Sequence, residues 1–192
     1  MTGQRLRRLA LLVVAAVLVS AFALRPVDDP RGPAGVAAAG RPGAAAATGL
    51  AALQADAGRL LDGGPRAFRA RLRALRGVPV VVNQWASWCG PCRAEFPFFQ
   101  RLARHYSGRV AFLGVNSQDV RDDAYAFLRE FRTPFPHYVD EDVAIARLFG
   151  GGRAWPTTAF YDASGRLTRT HLGGYATERE LDADLRRWAL GT

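Results

Sequence analysis

Residues 78–92 read VPVVVNQWASWCGPC, and the organisation of the chain follows from this stretch. It joins a short run of valines to the two cysteines of the chain, Cys89 and Cys92, which are three positions apart. A buried strand that leads directly into a Cys-x-x-Cys helix places a dithiol at the start of that helix. Backbone N–H groups and the helix dipole stabilise a thiolate at such a position. The pattern therefore predicts thiol–disulfide redox chemistry.

Other uses of a cysteine pair can be tested against the neighbouring residues. Arg93 stands directly after Cys92, where a c-type haem attachment site needs a histidine. His105 lies at a zinc-finger-like distance, but positions 109–111 hold no histidine and the sequence has no second cysteine pair. We therefore predict no metal site. A purely structural disulfide stays open as an alternative, although closing so small a loop adds little stability.

The formal net charge of the 192-residue chain is +9, and it is concentrated towards the N-terminus. Residues 1–77 contain 12 arginines against 4 acidic residues, whereas residues 78–192 contain 14 arginines against 13 acidic residues. The segment with the cysteines is thus nearly neutral, and its arginines do not alternate with aromatic residues as in a nucleic-acid-binding surface. We predict that the protein does not bind nucleic acid.

The N-terminal sequence indicates export. Three arginines within positions 5–8 precede an apolar run over residues 9–24, LALLVVAAVLVSAFAL. A basic segment followed by an apolar run is an export signal whose basic end stays in the cytoplasm. We interpret residues 1–24 as a retained signal anchor, with a cleaved signal peptide as the alternative. Residues 25–49, rich in Ala, Gly and Pro, are expected to be a flexible tether to a folded domain over residues 50–192.

The remainder of the chain predicts alternating helices and strands. Apolar residues at helical spacing over residues 50–61 predict a first helix, and Pro65 opens a second one whose apolar face ends at Leu75. Strands are expected over residues 80–84, 110–115 and 137–139, with helices over 91–106, 122–132 and 143–149. A hairpin of 157–161 and 167–172 and a helix over 178–190 complete the pattern. This order predicts an α/β sandwich with a mixed central sheet flanked by helices.

Over roughly residues 60–190 the chain resembles the membrane-tethered thioredoxin-like proteins of the TlpA/ResA type. The matching segments are VVVNQWASWCGPCRAEFP at 80–97, LGVN at 113–116, WPTTAFYD at 155–162 and HLGG at 171–174. The resemblance implies a thioredoxin-like fold. It also implies that residues 116–152 form the extra helix and strand that distinguish this family from plain thioredoxins.

The resemblance assigns catalytic roles to three residues. Cys89 is the attacking thiol at the exposed helix start, and Cys92 is the resolving thiol nearly one turn inside. Ordinary thioredoxin keeps a buried Asp where this chain has Asn83, and Glu95 is the family's replacement as proton carrier for Cys92. Burial would raise the pKa of such a carboxyl towards neutrality, as a proton carrier requires. A solvated Glu95, or one paired with an arginine at position 93 or 101, stays open.

Substrate-binding residues also follow from the resemblance. Pro156 matches the family's cis-proline, which packs beside the dithiol and leaves a neighbouring backbone edge free for an extended substrate. Trp155 is larger than the residue expected before this proline. Trp88 is expected to shield the dithiol or to help grip a partner, with packing in the core as the alternative. The full substrate-binding set implied is Trp88, Gly90, Pro91, Trp155, Pro156 and Thr157.

The implied function is that of an extracytoplasmic thiol–disulfide oxidoreductase that reduces disulfides of exported proteins, including apocytochrome c before haem attachment. Its redox group would be the Cys89–Cys92 pair without a bound cofactor. An integral membrane thiol carrier is the implied electron donor. Two alternatives stay open: an oxidase that forms disulfides in secreted proteins, and a non-catalytic binding module braced by its disulfide. The direction depends on the reduction potential of the pair.

Overall fold

The computed structural model describes residues 43–192. Its helices are α1 (Ala44–Ala55), α2 (Gly64–Ala74), α3 (Gly90–His105), α4 (Arg121–Glu130) and α5 (Glu178–Asp184). Its strands are β1 (Leu60–Leu61), β2 (Val80–Trp85), β3 (Ala111–Ser117), β4 (His137–Asp140), β5 (Thr157–Tyr161) and β6 (Leu167–Leu172). A 3₁₀ turn over Ala146–Phe149 precedes β5, and a π-helical segment over Leu185–Leu190 continues α5.

The strands form one mixed sheet in the order β1-β4-β3-β2-β5-β6. Strands β1 to β4 pair in parallel, whereas β5 is antiparallel to both β2 and β6. The expected mixed sheet flanked by helices is confirmed. Because β2 and β3 are parallel and in register from Val80–Ala111 to Trp85–Asn116, their carboxyl ends meet at one edge of the sheet. The cysteines follow β2 at this edge.

Both faces of the sheet are covered, which is why every residue of β2 and β3 is buried. On one face Phe68 of α2 and Phe149 pack against Val82 and Leu113. On the other face Phe99 of α3 packs in a cluster with strand residues and the C-terminal helix. A third cluster, which includes the aromatic residues Trp85, Phe96 and Phe127, lies beside the carboxyl end of β2 and contains both cysteines.

Two expectations near the start of the described residues are wrong. Helix α1 begins at Ala44, so residues 44–49 of the predicted tether are helical and pack on the domain. An ideal Cβ on Gly49 would lie 2.4 Å from the Ala74 carbonyl oxygen, which shows how closely α1 approaches α2. The helix predicted over residues 50–61 ends at Ala55, and Leu60–Leu61 forms a parallel strand beside β4. An alanine-rich segment is compatible with either a linker or a helix, and tertiary packing decides between them.

Most other elements match the sequence analysis. The hairpin strands β5 and β6 have the predicted bounds, and residues 116–152 contain α4 and β4, as the resemblance implied. The helix predicted over 143–149 is shorter, a 3₁₀ turn over Ala146–Phe149. The predicted signal segment and residues 25–42 of the predicted tether lie outside the described residues. Across residues 43–192, no helix combines the length and apolarity that crossing a membrane would require.

Candidate active site

The two cysteines form a disulfide at the start of α3, with their Cα atoms 5.3 Å apart. Cys89 caps the helix, and its Sγ accepts a hydrogen bond from the backbone N–H of Cys92 at 3.1 Å. When the disulfide is reduced, an N–H group in this position and the helix N-terminus stabilise a thiolate on Cys89. The local geometry therefore favours Cys89 over Cys92 as the more acidic thiol.

The expectation that Cys89 is exposed at the helix start is wrong for this disulfide form. Cys89 is only 3% exposed and Cys92 is fully buried, so the expected order of accessibility holds but the difference is small. Both sulfurs belong to the aromatic cluster of Trp85 and Phe96, against which Trp155 packs. The exposed residues of the turn are Gly90 and Pro91.

Glu95 lies on α3 one helical turn after Cys92, and its side chain is fully buried. Asn83 Nδ2 donates to Glu95 Oε1 at 2.8 Å, and the backbone N–H of Tyr175 donates to Oε2 at 3.0 Å. Burial raises the pKa of Glu95 to about 7, although both hydrogen bonds favour the carboxylate and oppose this shift. Residues three apart on a helix are neighbours, so this carboxyl lies on the same side of α3 as Cys92.

The two other interpretations of Glu95 are wrong. Arg93 pairs with Glu130 at 2.6 Å, and Arg101 pairs with Glu178, so neither arginine neutralises Glu95. The side chain is also not solvated. A buried carboxyl with a near-neutral pKa can carry a proton to or from a neighbouring thiol.

The loop before β5 contributes the predicted proline. The Trp155–Pro156 peptide bond is cis, and the Pro156 carbonyl accepts a hydrogen bond from the Gly173 N–H at 2.9 Å. Thr157 does not suit the predicted substrate-binding role, since its side chain is fully buried and its hydroxyl donates to the Ala154 carbonyl. Its backbone lies in β5, which is an interior strand between β2 and β6. Any free backbone edge in this loop must precede Thr157.

Trp88 is on the surface, with 58% of its area exposed, so the core-packing alternative is wrong. Its indole Nε1–H donates to the Gln118 carbonyl at 2.8 Å, and its ring centroid lies 5.6 Å from that of Trp155. The two indoles thus form an aromatic surface that begins directly before Cys89. This surface is available to a bound partner.

Asp119 is a structural residue of the site that the sequence analysis missed. Its carboxylate accepts hydrogen bonds from the Ser87 backbone N–H and hydroxyl at 2.6 and 2.5 Å, and from Asn116 Nδ2 at 2.7 Å. These contacts fix the loop that presents Trp88 and Cys89. The feature that could have identified Asp119 is the parallel order of β2 and β3, because it brings together the residues that follow each strand.

His137 is a second buried residue whose environment the sequence did not reveal. Trp85 Nε1–H donates to its Nδ1 at 3.0 Å, so Nδ1 accepts and the neutral ring carries its proton on Nε2. Nε2 lies 2.7 Å from Thr133 Oγ1, whose hydroxyl donates to the Phe135 carbonyl. Burial lowers the pKa of His137 to about 3. Within residues 43–192, no cluster of three or more His, Cys, Asp or Glu side chains could hold a metal ion.

Comparison with known proteins agrees with this geometry. The model of the Redoxin family matches residues 56–185. The thiol:disulfide interchange protein HelX of Rhodobacter capsulatus is 31% identical over 170 residues, covering 88% of this chain and 87% of HelX. A DsbE homolog of Paracoccus denitrificans is 37% identical over 98 residues, which cover 51% of this chain and 52% of that protein. The chain therefore aligns with only about half the length of that relative.

A solved structure shows the same fold. It is that of a secreted Mycobacterium tuberculosis disulfide oxidoreductase described as homologous to Escherichia coli DsbE. The two structures superpose with a TM-score of 0.52 at 26% sequence identity, over 60% of this chain and 85% of the other. The Redoxin match over residues 56–185 includes the disulfide and the buried carboxyl.

Proposed function

We propose that this chain reduces disulfide bonds of exported proteins. The chain belongs to the Redoxin family and to its TlpA/ResA-like group of thioredoxin-fold thiol–disulfide oxidoreductases. One observation carries the proposal: a disulfide at the start of α3 is followed, one turn later, by a buried carboxyl whose pKa is near 7. A disulfide that only braces the fold has no use for such a carboxyl, because the cost of burying it brings no gain in packing.

The reaction we propose has two exchange steps. In the reduced protein the Cys89 thiolate attacks one sulfur of a substrate disulfide, forming a mixed disulfide and expelling the first substrate thiolate. Cys92 then gives its proton to the Glu95 carboxylate, and the resulting thiolate attacks Cys89 Sγ. The second substrate thiolate leaves as the Cys89–Cys92 bond forms. Two electrons have passed from the protein dithiol to the substrate, and the substrate thiolates take up protons.

The pKa of Glu95 suits this second step. At neutral pH a carboxyl with a pKa of about 7 is divided between its two forms, so it can accept the Cys92 proton and release it afterwards. An ordinary exposed glutamate would stay ionised and would be a weaker base towards a thiol. Glu95 lies one helical turn from Cys92, which favours proton transfer at the resolving cysteine, whereas the helix N-terminus stabilises the thiolate of the attacking cysteine.

Substrates and partners are proposed from the family resemblance and the N-terminal sequence. Exported proteins with disulfides, including apocytochrome c before haem attachment, are the proposed substrates, and an integral membrane thiol carrier is the proposed electron donor. The proposed location is the outer side of the cytoplasmic membrane, with residues 1–24 as the anchor. Names of relatives such as thiol:disulfide interchange protein HelX support the reaction type.

The experiment that tests this function is a trapping assay. With an excess of a disulfide-containing protein such as insulin, reduced Cys92→Ser protein should accumulate a mixed disulfide through Cys89, because no second thiol can release it. Cys89→Ser is the matched control and should trap none. Non-reducing electrophoresis and mass spectrometry measure the adduct. Trapping by Cys89→Ser alone would reverse the roles, and trapping by neither would overturn the catalytic proposal.

The direction is tested on the same wild-type protein by equilibrating the Cys89–Cys92 pair against glutathione. A reductase should have a potential nearer to that of thioredoxin, about −270 mV, than to that of the oxidant DsbA, about −120 mV. A value close to that of DsbA would support the oxidase instead.

A further inference from the structure

We propose that the Asn83 side-chain amide turns over when Glu95 gains or loses a proton, donating to the carboxylate and accepting from the carboxylic acid. This inference rests on the proposed function, in which Glu95 takes the Cys92 proton. Asn83 is 2% exposed, and its Nδ2 lies 2.8 Å from Glu95 Oε1 and 3.4 Å from Thr158 Oγ1. Its Oδ1 is buried and has no hydrogen-bond partner among residues 43–192. The amide thus keeps an unused acceptor beside the carboxyl that must carry a proton.

The hydrogen bonds of Glu95 decide which oxygen receives that proton. Oε2 faces the backbone N–H of Tyr175, which can only donate and cannot turn away. Oε1 faces the Asn83 side chain, which has a donor end and an acceptor end. A protonated carboxyl needs an acceptor for its O–H, because a buried donor without a partner is destabilising. The proton therefore belongs on Oε1, with Asn83 Oδ1 turned towards it.

The neighbouring threonine can follow the same rotation. In the ionised state Thr158 Oγ1 accepts from Asn83 Nδ2. After the amide turns, Oδ1 takes the place of Nδ2, and the Thr158 hydroxyl rotates to donate to it, since a hydroxyl is both donor and acceptor. One end of the amide lacks a partner in either state. The two orientations are therefore similar in cost, and the state of Glu95 decides between them.

This arrangement explains what an asparagine does that an aspartate could not. Two buried carboxyl groups side by side share one proton and titrate as a coupled pair, with one pKa strongly raised. An apolar residue would leave both states of Glu95 short of a partner. Asn83 stabilises each state in turn, which keeps the proton transferable in both directions. It acts through Glu95 and is a positioning residue.

Several other titratable groups lie near Glu95, and the experiment must distinguish their titration from that of Glu95. Cys92 lies on the same helix, and the Tyr175 hydroxyl donates to Asp184 at 2.8 Å. The His171 ring stacks on the Tyr175 ring at 4.2 Å, and its Nδ1 lies 3.9 Å from Asp184. In the oxidised protein the cysteines do not titrate, and a His171→Asn background removes the neighbouring imidazole.

The test is an NMR titration of the oxidised His171→Asn protein. Nuclear Overhauser effects between the Asn83 NH₂ protons and the Thr158 side chain should be present at pH 9 and lost at pH 5. The loss should follow the ¹³C shift of the Glu95 carboxyl. In Glu95→Gln the neutral amide imitates the protonated acid by donating to Asn83 Oδ1. The nuclear Overhauser effects between Asn83 and Thr158 should therefore be absent at both pH values.

Gln84 provides the matched control within the same strand. It is a fully buried amide whose Oε1 accepts from the Gly152 N–H and whose Nε2 has no partner among residues 43–192. Successive residues of a strand face opposite sides of the sheet, so Gln84 points away from Glu95 and its amide signals should not respond to this titration. An Asn83 amide that stays in one orientation at both pH values while Glu95 is present, or that keeps its contact with Thr158 in Glu95→Gln, overturns the proposal. That result would leave disulfide reduction and Cys92→Ser trapping intact, so it is distinguishable from failure of the proposed function.

Discussion

Glu95 and His137 are both fully buried titratable side chains, yet their surroundings prepare them for opposite uses. Burial disfavours the charged form in each case, raising the pKa of Glu95 to about 7 and lowering that of His137 to about 3. At neutral pH His137 is therefore locked in one state, whereas Glu95 is divided between two. Burial of similar depth thus keeps His137 neutral and gives Glu95, the proposed proton carrier, a pKa near neutrality.

The difference lies in what covers each group. The His137 ring lies against Phe96 and Phe135, with centroids 6.1 and 5.1 Å away, and both ring nitrogens are hydrogen-bonded. The Gly114 backbone lies so close to the His137 ring that an ideal Cβ on Gly114 would lie 1.9 Å from His137 Nδ1. Nothing about this packing allows a proton to enter without opening the core.

Glu95 has a much thinner cover. Gly174 is exposed, and an ideal Cβ on it would lie 3.7 Å from Glu95 Oε2 and 3.6 Å from Pro156 Cγ. The carboxyl thus lies just beneath the loop that borders the disulfide and the cis-proline. A residue's usefulness as a proton carrier here depends on how close it is to the surface and the sulfur, in addition to its burial.

The largest effect on stability is expected from removing the charge of Glu95. Its folded-state pKa of about 7 is above the ordinary value of 4.5, so the folded protein holds the proton more tightly, and stability falls as pH rises from 4.5 to 7. Glu95→Gln should raise the free energy of unfolding by up to roughly 3 kcal/mol at pH 9 and have little effect at pH 4. Urea unfolding at both pH values measures this. Glu130→Gln, which removes only an exposed ion pair with Arg93, is the control and should change stability by no more than about 1 kcal/mol.

A smaller effect of opposite sign is expected from His137. Its folded-state pKa of about 3 is below the ordinary 6.5, so the unfolded chain takes up the proton first and stability is lost as pH falls below 6.5. At pH 5 this loss should reach about 2 kcal/mol, a size set by the unfolded-state pKa because the folded-state value lies well below 5.

The measurement is the pH dependence of unfolding in His137→Asn, which keeps an acceptor for Trp85 but does not titrate. The free energy of unfolding that this variant loses on acidification to pH 5 should be smaller than the wild-type loss by about 2 kcal/mol. The exposed His105→Asn should keep the wild-type slope. If His137→Asn also keeps that slope, the histidine is protonated in the folded core and the contrast with Glu95 fails.

The parts of this comparison that lie close together in sequence were predictable. The Cys89–Cys92 pair and the helix start follow from residues 80–97, and spacing along one helix fixes the relation of Glu95 to them, although its role came from the family resemblance. The β5–β6 hairpin was also correctly bounded, since a local turn separates two strands of clear pattern. Local sequence patterns were sufficient to predict these elements, without knowledge of tertiary contacts.

Contacts between distant segments were not predictable in the same way. Asp119 reaches Ser87 across 32 residues, and His137 reaches Trp85 across 52. The packing of α1 on α2 depends on Gly49, which looks like part of a linker in sequence. The orientation of Asn83 towards Glu95 depends on the register of α3 over β2. A single sequence carries the residue types for these contacts but not the distances.

The central claim is that Glu95 carries the Cys92 proton, and its most direct test is the rate at which the mixed disulfide resolves. Stopped-flow measurement of this step from pH 5 to 9 should give a midpoint near 7 for the wild type. Glu95→Gln should slow the step by about 100-fold at neutral pH and remove that midpoint. A variant that resolves at the wild-type rate with the same pH profile would contradict the account.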